Sequence, residues 1–153
     1  MLAVVIIIIQ LTILDFISIF DVTPDLLIIL CVWISINEGQ FIGTFTGFGI
    51  GIFYDLVSFD VIGTNALVKT VIGFISGYFY KVEINKRPTG NYKFLLILLI
   101  MSFTHNFIYY FFYLKISEAS FFLFFFKYGI LSSIYTTVFG LFPMITRLTT
   151  KRY

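Results

Sequence analysis

The chain has 153 residues, of which 59% are apolar or aromatic and only 12% charged, with a net charge of +2. Soluble domains carry about 25% charged residues, and a mean hydropathy of +1.02 leaves too few polar side chains to cover a particle of this size. Lipid must be the solvent for most of the chain, which excludes soluble enzymes, disordered polymers and nucleic-acid binders.

A membrane-crossing helix needs about 20 predominantly apolar residues. Six segments are predicted as spans, so residues 1–153 read as one all-α, multi-pass transmembrane domain. The first, roughly Leu2–Phe20, opens on MLAVVIIII. No basic segment precedes this run and no small-residue cleavage site ends it, so it reads as a retained span and not a signal peptide. The second, Pro24–Ile36, is short: thirteen residues cover about 20 Å as helix, against a hydrocarbon core of about 30 Å. It reads as a short tilted helix or a re-entrant arm. At its start Thr23 is predicted as the cap, Pro24 as the first helical residue and Asp25 as an anion at the positive helix end. The third span covers Phe41–Val57, the fourth Val61–Tyr80, the fifth Phe94–Leu114 and the sixth Ser120–Thr146.

Lysine and arginine sort to one side of this arrangement. The segment between spans four and five carries Lys81, Lys86, Arg87 and Lys93, and the C-terminal tail carries Arg147, Lys151 and Arg152. Two spans separate these clusters, so both face the same compartment, which the positive-inside rule makes the cytoplasm. The opposite loops hold Asp21, Asp25, Asp60 and Glu118, with Lys115 as their basic residue. Six spans put both termini inside; five would move only the N-terminus out.

Span three carries Gly43, Gly47 and Gly51 at a spacing of four, followed at the same spacing by Asp55. Residues four apart share a helix face. In lipid, close backbone approach between small residues is a main source of helix association. The stripe is therefore a packing face, either within the subunit or for a helix of another. A second small-residue stripe on span six comprises Ser132, Thr136 and Gly140, with Gly129, Ser133 and Thr137 beside it.

Asp15, Asp55, Lys69 and Lys127 are ionisable groups inside or at the edge of spans, where charge is costly and usually paired or functional. Under the six-span arrangement all four fall in the outer leaflet. The expected pairing is Asp55 with Lys69 on adjacent helices; the alternative is four groups that snorkel independently to the interface. His105 and Asn106, mid-way along span five, read as interhelical hydrogen-bonding groups. Lone Cys31 excludes an intramolecular disulfide. The spacing of His and carboxylates supplies no metal site, no nucleophile–base pair is evident, and no cofactor motif occurs. The aromatic runs Tyr109–Tyr113 and Phe121–Phe126 flank the loop between spans five and six, facing either lipid or a partner.

From Pro24 to Gly77 the order of residues resembles a known family. It runs Pro24-Asp25-Leu26-Leu27, then Trp33-Ile34, then Gly43, Gly47-Phe48, Gly51, Asp55-Leu56, Ser58, Gly63 and Ala66-Leu67, with Gly73 and Gly77 after it. This set is similar to the rod shape-determining MreD family. The resemblance implies a bacterial inner-membrane protein with a six-helix fold like the substrate-binding subunits of energy-coupling-factor transporters. It implies no catalysis. Its implied partner is the bitopic protein MreC, with MreB, the glycosyltransferase RodA and a class B penicillin-binding protein acting alongside in peptidoglycan synthesis. The competing expectation, drawn from the likeness in fold, is a small-molecule-binding transporter subunit, whose outward polar pocket Asp15, Lys69, His105, Asn106 and Lys127 would supply.

Overall fold

A computed structural model describes residues 2–12, 18, 22–58, 62–82, 88–117 and 125–150. The described residues form helix α1 (Leu2–Thr12), α2 (Leu26–Glu38), α3 (Gln40–Ser58), α4 (Thr64–Ser76), α5 (Tyr92–Ser117), α6 (Ile130–Phe139) and α7 (Leu141–Thr150). A 3-10 turn, Gly77–Phe79, extends α4; another, Pro88–Gly90, precedes α5; a π turn, Phe125–Gly129, leads into α6.

Among the described residues, three helical stretches are long and apolar enough to cross a membrane: Gln40–Ser58, Tyr92–Phe112 and Phe125–Thr146. Helices α2 and α4 have 13 residues each, about 20 Å at the α-helical rise. The stretch read from sequence as the sixth span is interrupted at one residue, Gly140, between α6 and α7. Pro143 accounts for the break: it has no N–H to bond the carbonyl of Phe139, four residues back.

Asp25, and not Thr23, caps α2. Its side-chain oxygen accepts from the amides of Leu27 and Ile28 at 2.9 and 3.1 Å, and Pro24 lies outside the helix. A carboxylate that bonds two of the free N–H groups at a helix start outcompetes a hydroxyl two residues upstream. At the other end of α2 the chain reverses within one residue. Gly39, at φ 94°, passes the chain straight into α3, a conformation that a Cβ would strain.

The most extensive helix pairing among the described residues is α3 against α4. The glycine stripe makes it. A Cβ on Gly43 would lie 2.7 Å from the carbonyl oxygen of Gly73, and one on Gly51 would lie 2.6 Å from that of Asn65. A Cβ on Gly47 would collide with the carbonyl of Lys69. The two backbones therefore touch directly, and the stripe is used within the subunit. Behind this pair, Ile28, Val32 and Ile36 of α2 pack with Val68 and Ile72 of α4 and with Phe94, Leu98 and Met101 of α5, all buried. Trp33 meets the edge of Phe94 at 5.4 Å. Helix α7 packs on the turn Pro88–Gly90, which brings the beginning of the C-terminal segment beside the loop that leads into α5.

Candidate functional site

Among the described residues, the buried polar groups Asn65, Lys69, His105, Asn106, Ser133 and Thr136 gather where the start of α2 meets α4, α5 and α6. Lys69 stands at the centre, with its side chain 1% exposed. Its ammonium has three N–H donors, and three acceptors surround it: Asp25 Oδ2 at 3.1 Å, Asn65 Oδ1 at 3.0 Å and His105 Nε2 at 3.3 Å. The ring of Tyr54 lies 5.2 Å from the ammonium. The side chain reaches back one turn to Asn65, as the tilt of Cβ toward a helix N-terminus favours.

Each acceptor is held by a second element. Asp25 Oδ1 is occupied by the α2 amides, which leaves Oδ2 for Lys69, while the Asp25 amide donates to Thr136 Oγ1 on α6 at 3.0 Å. Gln10 of α1 accepts from the Leu27 amide at 3.3 Å. Beside His105, Asn106 donates to the Gly129 carbonyl at 3.1 Å and to Ser133 Oγ at 3.0 Å, tying α5 to α6. The Cys31 thiol donates to the Lys69 carbonyl at 3.5 Å.

Asp55 has a different role. It is fully buried and accepts from the amides of Gly63 at 2.9 Å, Asn65 at 3.2 Å and Ala66 at 3.1 Å. It therefore caps α4 from the end of α3. The residue in the cap position is Gly63, which has no side chain to offer and takes φ 97°. Three N–H groups at the positive end of a helix suit a carboxylate well.

The ion pair expected between Asp55 and Lys69 is thus replaced by one between Asp25 and Lys69. The reason is positional. Asp55 stands at the first turn of α4, where free amides saturate it, whereas Lys69 is a turn deeper, opposite the open end of α2. Lys127, also a candidate for an ion pair, is exposed on the π turn, with its ammonium 4.9 Å from the ring of neighbouring Tyr128; it forms no ion pair among the described residues. Asp15 lies outside the described residues. Asp25 was legible as a helix-end anion but not as a lysine partner. Asn65, four residues before Lys69 and so one helical turn away, was the local signal for the network.

A polar cavity of about 150 Å³ opens beside this network. Gln10, Asp25, Asn65, His105, Asn106 and Ser132 contribute to its wall, with Tyr54, Tyr109 and Tyr110 around it. Such a cavity can take hydrogen-bonding groups of a ligand or of a partner segment. Among the described residues no three His, Cys, Asp or Glu gather as a metal-binding group would require.

The family model for the rod shape-determining protein MreD matches residues 1–151. The chain belongs to the MreD family. No curated protein and no solved structure matches it. Family membership together with the three apolar helices of membrane-crossing length identifies a helical membrane protein of the rod-shape machinery. In this MreD-family chain the motif positions divide between two jobs. Gly43, Gly47, Gly51, Asp55 and Gly63 join α3 to α4, and Pro24-Asp25 delivers the carboxylate that meets Lys69.

Proposed function

We propose that this chain is a non-catalytic scaffold of the bacterial elongation machinery. It sits in the cytoplasmic membrane with six crossings and a cytoplasmic C-terminus, and it holds an MreC-like bitopic protein so that peptidoglycan synthesis is placed and activated during rod growth. MreB, RodA and a class B penicillin-binding protein would be reached through that partner. The observation that carries this reading is the family match over residues 1–151. The apolar character of the surface is compatible with it. Phe41, Phe45, Phe48 and Leu56 of α3 are exposed, and the short connections leave little aqueous surface for recognition. Affinity purification of the tagged full chain from its native membrane tests the reading. Recovery of an MreC-like bitopic protein is expected; recovery of a coupling-module ATPase in its place would overturn it.

The polar cavity favours a second reading, a small-molecule-binding subunit of the energy-coupling-factor type. Its lining by Gln10, Asp25, Asn65 and His105 suits a small polar ligand. A compound retained through purification, detected by mass spectrometry and lost in Asn65→Leu, would favour this reading over the scaffold.

A further inference from the structure

A second groove lies at the opposite end of α4, where the 3-10 turn Gly77–Phe79 and the residues after it run beside the first turns of α5. It has a volume of about 350 Å³. Its wall is divided by chemistry. Phe79, Leu96 and Ile97 form an apolar side, while Lys81 and Lys93 form a basic rim with Tyr78. Both lysines are exposed. The membrane-length part of α5 begins at Tyr92, so the rim stands at the boundary between water and lipid, and Leu96 and Ile97 lie one turn further in. Lysines at that level keep their heads in the interface while their stems lie along apolar surface, and tyrosine prefers the same layer.

We propose that this groove holds an anionic phospholipid, with the phosphate against Lys81 and Lys93 and the first part of an acyl chain along Phe79 and Leu96. Charge complementarity selects the head, and the adjoining apolar wall selects a lipid over a free anion. A soluble phosphate would pair with the lysines and leave that wall uncovered, whereas a phospholipid covers both. Basic pockets between membrane helices on the side enriched in Lys and Arg hold anionic headgroups by this physics. The assignment is independent of the MreC-like partner and of the polar cavity near Lys69.

Native mass spectrometry of the full chain, released from nanodiscs of equal phosphatidylglycerol and phosphatidylcholine, tests it. The unaltered protein is expected to retain phosphatidylglycerol over phosphatidylcholine by about thirtyfold, the combined effect of two interfacial lysines. Lys81→Gln with Lys93→Gln should abolish that preference, and Lys81→Arg with Lys93→Arg should preserve it. Leu96→Trp, which fills the apolar side with the charge intact, should lower retention as well. Equal retention of the two lipids by the unaltered protein overturns the proposal, as does an undiminished preference in the glutamine variant. Loss in the glutamine variant without loss in Leu96→Trp would assign the effect to diffuse surface charge and overturn the groove. Displacement of the lipid by glycerol phosphate at equal concentration would make the ligand a free anion.

Discussion

The ammonium of Lys69 lies 3.1 Å from the carboxylate of Asp25, 44 residues away in the chain. The contact joins the start of α2 to the middle of α4. Asn65 and His105 fill the other two donor directions of the lysine, so a buried charge is compensated on every side. Removing a partner from so buried a lysine leaves a charged or polar group short of a hydrogen bond.

Lys69→Met should therefore destabilise the protein by about 3 kcal/mol, the low end for breaking a buried ion pair. Asp25→Asn keeps a good helix cap and should cost less. In the Asp25→Asn, Lys69→Met double variant the two losses should be less than additive, with coupling of about 1–2 kcal/mol. Coupling between Asp55→Asn and Lys69→Met should be smaller, because those two side chains are engaged elsewhere. Thermal unfolding in detergent of these five variants and of the unaltered chain reads both cycles. Stronger coupling of Lys69 to Asp55 than to Asp25 would contradict the network.

Asp55→Ala removes the acceptor for three amides at the start of α4. The expected cost is about 2–3 kcal/mol, above an ordinary cap because the lost bonds are to a charged group. Hydrogen exchange should accelerate at the amides of Gly63, Asn65 and Ala66 before the rest of α4. Unchanged protection there would show that the carboxylate is not the cap.

Gly47 and Gly49 make a matched pair for testing the α3–α4 contact. A Cβ on Gly47 meets the Lys69 backbone, while one on Gly49 has nothing within 4 Å. Gly47→Leu should prevent stable accumulation of the protein. Gly49→Ala should be neutral or stabilising by up to about 1 kcal/mol, since alanine is the better helix former. Membrane-fraction abundance and melting temperature measure both, and equal tolerance at the two positions would refute direct backbone contact.

Gly63→Ala introduces a Cβ where φ is 97°. Space is available there, so the loss reports conformation alone and should be about 1–2 kcal/mol. Gly63→Asn should recover part of it, because asparagine tolerates the left-handed region better than alanine. The two melting temperatures, compared with that of the unaltered chain, decide the point.

Some of this architecture was legible in single segments. The stripe of Gly43, Gly47 and Gly51 announced a close helix contact because a spacing of four fixes a face whatever the partner. Whether that partner belonged to the same subunit was open, since the sequence carries no record of which surface lies opposite. The cap of α2 was not legible, for a similar reason. Thr23, Pro24 and Asp25 all suit a helix start, and only the engagement of the Asp25 carboxylate by both the α2 amides and Lys69 selects among them. Asp55 and Lys69 stand on adjacent helices without pairing, because adjacency of helices does not fix which side chains meet.

The sequence by itself determined the solvent and the units. Its low charge and high hydropathy require lipid around most of the chain, its apolar runs specify helices, and its ordered glycines and carboxylates carry the resemblance to the MreD family. Those properties are sums over composition or patterns within one helix, so neighbours along the chain suffice to encode them. Tertiary structure decided the partners. Asp25, Asn65, Lys69 and His105 converge only because α3 and α4 approach backbone to backbone and bring Lys69 opposite the open end of α2. A buried charge then takes whichever acceptor lies within reach in space. Asp55 had already been claimed by the amides nearest to it, and Asp25 had one oxygen left.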